Sequence, residues 1–434
     1  MAGRPGDDDL ESKFAHWAAD NRIFIHPSLQ FVKSPSGHDV YAIEEIPRES
    51  KVLSCPWDRA ITAPQSRAAI TAAFYESSMS VSGVLDRWSE RQVVCVYMIL
   101  HRIWHETKKS TLPPVFQHKP YLDMLPSSEL LQTTMYFTQE ELGLLKGSNL
   151  YQATMTRHQE WQVEWKACLE GLSAIDEELT LAVTWEHYLA AATHLSSRAF
   201  PSTLLSDSPS NTSPDQSHAV LLPGIDSLNN RRATPVSWVS TVSKDPDVET
   251  SNGSPTLDGS LDLIIHEPVP AGTECFNNYG PKPNSELILG YGFAIPFNPD
   301  DTILLSLAAS NTEQTNIVEI GRGAKNAMRL WELVFNKVKE MGEVDMNDSS
   351  PWELELEAAE IIVNLTEQRM ERLPSVKGNI TGARQSVLDM IEYYLEGQRA
   401  ILVGLIQWAE TKRIEAQGKA RAEGIDIVFE DELE

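Results

Sequence analysis

With 434 residues the chain is long enough for two or three domains, each with a full core. At 41% hydrophobic and 23% charged residues, its composition is that of an ordinary soluble globular protein. The balance of 36 Lys and Arg against 62 Asp and Glu gives a formal charge of −26, which argues against nucleic acid as the main partner and favours basic protein segments.

Taken in order, the first ten residues contain no apolar h-region, and no signal peptide is expected. Leu10, Phe14, Trp17 and Ala18 share one side of a short amphipathic helix over 10–21. Ile23–Val32 reads as β-like, Ser34–Asp39 as a turn-rich stretch, Val40–Ile43 as a strand and Glu45–Ser54 as a turn into another. Residues 60–195 read as helical. Within them Trp88–His105 is apolar almost all round and so expected to be buried, Pro113–Pro126 is a proline-punctuated connector, and Thr184–Leu195 leads into Ser197-Arg198-Ala199-Phe200. Spans 203–217 and 243–260 are rich in Ser, Pro, Asp, Asn and Gly and read as mobile loops. The second joins strand candidates at 235–242 and 261–266 in a long hairpin.

Two dense blocks follow the helical region. One is Leu222-Pro-Gly-Ile-Asp226-Ser-Leu-Asn229-Asn230; the other runs from Glu274-Cys-Phe-Asn-Asn-Tyr279-Gly280 to Gly290-Tyr291-Gly292-Phe293. Beyond Asp301 the chain reads as helical, over 325–341, 351–372 and 382–416, with Ser350-Pro351 placed as N-cap and N1. The longest apolar stretch, near Ala400–Trp408, is far too short to span a bilayer. Cys55, Cys95, Cys168 and Cys275 show no C-x-x-C spacing, and the histidines form no H-x-x-x-H or H-E-x-x-H pattern. No metal site and no structural disulfide are expected, and a cytoplasmic or nuclear location follows from that usage.

The S-R-A-F tetrad and the two blocks, in this order, resemble the C-terminal half of a SET domain of the Rubisco large-subunit methyltransferase group. The resemblance implies an α+β fold: a β-rich SET domain over 22–298, interrupted by a helical insertion at about 60–195. An all-α C-terminal domain at 301–423, of the kind that helps hold protein substrates, and an acidic tail at 424–434 would follow. It further implies S-adenosylmethionine as cofactor and a basic, lysine-containing, non-histone protein as substrate, with no nucleic acid, no membrane and a monomeric state. A histidine acceptor stays open, as does a SET-derived protein-binding module without turnover.

Residue by residue, Tyr279 resembles the tyrosine whose hydroxyl points at the methyl-transfer centre. Tyr291 and Phe293 resemble the aromatic pair that lines the lysine channel or packs on the cofactor. Asp226 and Asn229 resemble the family's D-x-x-N-H, in which the asparagine grips the cofactor's amino-acid end, and Arg198 resembles an arginine close to it. Ser36, Gly37 and His38 correspond to the glycine-rich turn that the cofactor approaches. Two positions depart from the pattern: Asp39 stands where G-x-G has its second glycine, and Asn230 where the histidine would be. The implied chemistry is an in-line displacement that needs no metal, so the protein's task is positioning and desolvation. A lysine ammonium must first lose a proton, which costs about 4.6 kcal/mol at pH 7.

Overall fold

The computed structural model describes residues 10–75, 81–206, 208–210, 217–242, 259–308, 315–342, 350–374, 382–425 and 427. The chain divides into two units, Met1–Leu131 with Arg157–Pro281, and Gln132–Thr156 with Lys282–Glu434.

The first unit opens with the expected amphipathic helix, Leu10–Asp20, which buries Phe14 and Ala18. Strands β1 (Phe24–Ile25) and β2 (Leu29–Ser34) replace the single β-like run expected over 23–32. Pro27 cannot donate to a ladder, and the Leu29 N–H turns back to the His26 carbonyl at 2.9 Å, which breaks the run. Strand β2 pairs with β3 (Gly37–Ala42) from Ser34↔Gly37 onward, so Pro35 and Ser36 alone form the turn, and β3 begins earlier than the Val40 expected. Strands β4 (Ser50–Pro56), β5 (Phe200–Pro201), β6 (Ala219–Val220), β7 (Val236–Val242) and β8 (Gly259–Ile265) complete the unit. The main sheet has the order β1-β4-β8-β7 and is antiparallel throughout. Along β8, Leu261, Leu263 and Ile265 are buried and alternate with partly exposed residues, which sends one face into a core shared with Val52, Leu53, Ile225 and Leu228. Residues 207 and 211–216, just under half of the first expected loop, and 243–258, most of the second, lie outside the described residues.

Helix Glu90–Lys108 forms the centre of the helical region. Ser89 caps it, its own N–H held by Gln92 Oε1 at 2.8 Å, and every residue from Gln92 to His101 is buried. Two buried histidines, His101 on this helix and His118 beside it, form a closed chain of hydrogen bonds with Tyr97. Nδ1 of His101 lies 2.8 Å from the Tyr97 carbonyl while its Nε2 accepts the His118 N–H at 3.3 Å. Nε2 of His118 lies 3.1 Å from the Arg59 carbonyl, and its Nδ1 is 2.6 Å from the Tyr97 hydroxyl. Each ring therefore has one donor and one acceptor and fits as the neutral form. Burial depresses the pKa of His101 to about 4 and of His118 to about 3. The unfolded chain then binds more protons than the folded one below about pH 6.5, so stability is complete above that value and declines as pH falls toward 4. The expected slope is roughly 1.4 kcal/mol per pH unit for each ring. Chemical denaturation followed by tryptophan fluorescence at pH 7.5, 6 and 5 checks this; a flat profile would contradict the neutral assignment.

The second unit departs from the sequence reading at its start. Where the chain beyond Asp301 was expected to be helical, it forms a hairpin of β9 (Thr302–Ala308) and β10 (Thr315–Gly321), paired from Thr302↔Gly321. The reason is a period-two pattern: Ile303 and Leu305 are buried with Val318 and Ile320, while Leu304 and Ile317 between them are exposed. Helices Ala327–Gly342, Pro351–Arg372 and Gln385–Ala422 follow. Phe137, Leu142, Leu145 and Leu150 join their core. Glu141, fully buried, accepts from Arg384 Nη2 at 2.7 Å and Nε at 3.0 Å, which fixes this segment in the second unit. Among the described residues no helix is long and apolar enough to cross a membrane.

Candidate active site

Strand β3 and the two sequence blocks meet in the first unit. Beside β3, on the side away from β2, residues 272–275 run antiparallel, with the Cys275 N–H donating to the Val40 carbonyl at 2.8 Å. The blocks themselves are joined in parallel at Asn230↔Asn277. There the Asn277 N–H donates to the Asn229 carbonyl at 2.8 Å and the Arg231 N–H to the Asn277 carbonyl at 3.0 Å. Buried Asn277 also accepts the Trp238 indole N–H at 3.0 Å, which anchors this junction to β7.

Tyr279 is held at both ends by the first block. Its backbone N–H donates to Asn230 Oδ1 at 2.9 Å, and its hydroxyl donates to the Leu228 carbonyl at 2.9 Å. With the proton committed to Leu228, the phenolic oxygen keeps lone pairs that can accept a hydrogen bond from an amine. Gly280 follows with φ +85°, a conformation that lets the chain turn directly after the tyrosine. Asn230, the departure from the expected histidine, is thus the residue that seats the Tyr279 backbone.

Asn229 bridges two carboxylates, donating from Nδ2 to Asp39 Oδ1 at 2.9 Å and to Glu274 Oε1 at 2.8 Å. Asp39 also accepts from the Ser34 hydroxyl at 2.9 Å, so the residue in place of the second glycine is tied to both neighbours. Burial raises the Glu274 pKa, the Asn229 amide opposes this, and the charge of Asp39 adds to the rise. Glu274 opens the second block, but no local signal marks it as a site residue, and its partnership with Asn229 appears only across strands.

Asp226 is buried, with its Oδ2 accepting the Tyr121 hydroxyl at 2.8 Å and Arg198 Nη1 at 3.4 Å. Arg198 Nη1 also donates to the Asp226 carbonyl at 3.1 Å. Oδ1 of Asp226 is buried without a partner. Burial raises the Asp226 pKa against the opposing Arg198 charge. For Arg198, burial works against the charge, yet Asp226 prevails and the shift is upward. Tyr121, within the proline-punctuated connector on the short helix Lys119–Met124, likewise carries no local signal of this role.

His38 Nε2 lies 2.8 Å from Glu11 Oε1, and its Nδ1 is buried without a partner. Gly37 has φ +125° and no room for a side chain, since a Cβ would lie 2.7 Å from Pro126 Cγ. His38, Arg198, Ser227 and Tyr121 line one pocket with Phe14 and Phe31. Ser36 is exposed in the turn, its Oγ 3.1 Å from Ser34 Oγ. The structure thus brings Gly37, His38, Arg198, Asp226, Asn229, Asn230 and Tyr279 onto adjoining segments of one unit. Tyr291 and Phe293 belong to the second unit, at the end of helix Asn284–Tyr291. Their rings meet edge to face at 6.2 Å, with Gly292 between them at φ +79°. Burial raises the Tyr291 pKa to about 12. Among the described residues no group of three His, Cys, Asp or Glu is placed to hold a metal ion.

No protein-family model matches the chain. It is similar to the ribosomal lysine N-methyltransferase set10 of Schizosaccharomyces pombe, 28% identical over 302 residues that cover 68% of this chain and 48% of that protein. It is also similar to the Rubisco large-subunit N-methyltransferase of Nicotiana tabacum, 28% identical over 198 residues, 45% of this chain and 37% of that one. The chain therefore spans about half or less of the length of these relatives. Among solved structures, the SET domain of LSMT bound to lysine and AdoHcy matches with a TM-score of 0.70 at 17% identity, over 95% of this chain and 94% of that one. Rubisco LSMT bound to AdoMet gives 0.68 at 17% identity over 98% and 99%. The fold is that of the SET domain, α+β as expected.

Proposed function

We propose that this chain, a SET-fold protein related to ribosomal and Rubisco lysine N-methyltransferases, transfers a methyl group from S-adenosylmethionine to a lysine of a non-histone protein. The observation that carries the reading is the seating of Tyr279, whose hydroxyl and backbone are both bonded to the 228–230 block. A rigidly held phenolic oxygen can orient an incoming amine, which is the positioning an in-line displacement requires.

The residues present fit the cofactor. S-adenosylmethionine supplies the methyl on a sulfonium, and its amino-acid end is a zwitterion. Asp39 and Glu274, joined by Asn229, suit an ammonium, and Arg198 retains donors beyond Nη1 for a carboxylate. Gly37 keeps its turn close to Pro126, where a side chain would force the two apart. The substrate is proposed to be a basic segment, because a formal charge of −26 attracts lysine-rich chains and repels acidic ones. Four free, buried cysteines support a reducing compartment, cytoplasmic or nuclear.

Calorimetry tests the reading. AdoMet or AdoHcy is expected to bind in the micromolar range, about −8 kcal/mol. Asn229→Ala removes the bridge and leaves two carboxylates facing one another, and should weaken binding at least tenfold, about 1.4 kcal/mol. Wild-type protein that gives neither heat nor a thermal shift with excess cofactor would sink the enzyme reading and favour a binding module.

A further inference from the structure

The outer face of the main sheet carries a second arrangement of polar side chains, among residues that methyl transfer does not use. Along β7, Val236 and Trp238 pack toward the core, so by alternation Ser237 and Val239 face outward. His266 directly follows β8, and its N–H donates to the Pro235 carbonyl at 2.9 Å. Its ring bridges two side chains: Nε2 lies 2.6 Å from Ser237 Oγ, and Nδ1 lies 2.8 Å from Glu49 Oε2. Glu49 precedes β4 and has φ +61°, a left-handed conformation uncommon outside glycine. Its N–H donates to the Ile265 carbonyl at 2.8 Å, so the sheet itself holds that turn beside His266.

These contacts fix the proton positions. The hydrogen bond from His266 lowers the Glu49 pKa, and Arg48 adds to the fall, so at neutral pH the carboxylate is ionised and can only accept. Nδ1 of the neutral ring therefore carries the proton, Nε2 is an acceptor, and the Ser237 hydroxyl donates to it. The order is that of a nucleophile, its base and a group that orients the base. The side chains of His266 and Glu49 are 35% and 55% exposed, so solvent and small reagents reach the relay.

We propose that Ser237 is a nucleophile toward small carboxylic esters, with His266 as its base and Glu49 positioning the ring. Ser237 Oγ bonds to the acyl carbon as its proton passes to His266 Nε2; the bond to the leaving alcohol breaks, and the alcohol takes that proton. Water then attacks the acyl carbon, its proton returning through His266 to Ser237 Oγ as the carboxylic acid departs. Pairing with β8 leaves the Val236 and Trp238 N–H groups facing the sheet's edge, and these are the donors the strand offers a developing oxyanion.

The test follows p-nitrophenolate release from p-nitrophenyl acetate by the full chain, with a fluorophosphonate probe and peptide mass spectrometry to locate the nucleophile. Release is expected to run past one equivalent and to be roughly tenfold or more faster than in Ser237→Ala and His266→Gln, with the phosphonyl adduct on Ser237. Glu49→Gln should lower kcat with KM within a few-fold, and Glu49→Asp should restore part of the loss. Thermal unfolding of each variant separates loss of reactivity from loss of fold. Release no faster than in Ser237→Ala, an adduct absent from Ser237, or His266→Gln labelled as fast as wild type would overturn the proposal.

Discussion

Tyr279→Phe is expected to reduce methyl transfer by roughly two orders of magnitude or more, as loss of one aimed polar group does elsewhere, while cofactor affinity stays within a few-fold. The separation follows from where the hydroxyl is spent. It bonds to the Leu228 carbonyl, whereas the backbone of the same residue is seated independently by Asn230. Phenylalanine keeps the ring and the backbone bond, so the block that would hold the cofactor is left intact. What it removes is the oxygen proposed to orient the amine; such a contribution is made in the transition state and is read in kcat rather than in binding. Labelled methyl transfer to proteins fractionated by charge, run beside calorimetry, gives both readouts. A Tyr279→Phe variant as active as wild type, or label that accumulates mainly in acidic proteins, would contradict the mechanism.

Arg198→Met should be the most destabilising single change near the site, at roughly 3–5 kcal/mol. Asp226 has its side chain 1% exposed, with Oδ1 already unpartnered and Oδ2 shared by Tyr121 and Arg198. Without the guanidinium, a buried carboxylate is left with the Tyr121 hydroxyl as its remaining side-chain donor. Burial already raises the Asp226 pKa, and removing the opposing charge raises it further, so part of the loss appears as proton uptake on folding. The paired change Arg198→Met with Asp226→Leu takes away both charges and should cost less than Arg198→Met alone. Urea unfolding of the three proteins measures this. A single variant within about 1 kcal/mol of wild type, inside the range of exposed pairs, would mean that the Arg198–Asp226 pair behaves as a surface one.

Local residue types and their order determined a good part of this protein. Helix Pro351–Arg372 begins where Ser350-Pro351 places it, because a cap and a proline at N1 act within one turn and need nothing distant. The β7–β8 hairpin and the buried helix around Val93–Leu100 are legible for the same reason: alternation and all-round apolarity are properties of neighbours in sequence. The β9–β10 hairpin carries its period-two pattern too, yet it sits before three strong helical stretches whose signal overrides it. Tyr279, Asn229 and Asp226 can be picked out because their motifs are contiguous.

Their partners cannot. Glu274 lies 45 positions from Asn229, Tyr121 lies 105 from Asp226, and Glu11 lies 27 from His38. Asp39 looks in sequence like an added charge beside a cofactor; in the fold it is a hydrogen-bond acceptor shared by Ser34 and Asn229. Asn230 looks like a lost histidine, and it holds the Tyr279 backbone. Which polar groups find one another is decided by how the strands pair and the core closes. A buried donor or acceptor must be satisfied by whatever the packing brings within about 3 Å, and that neighbour is set by the three-dimensional path of the chain, not by the residues beside it.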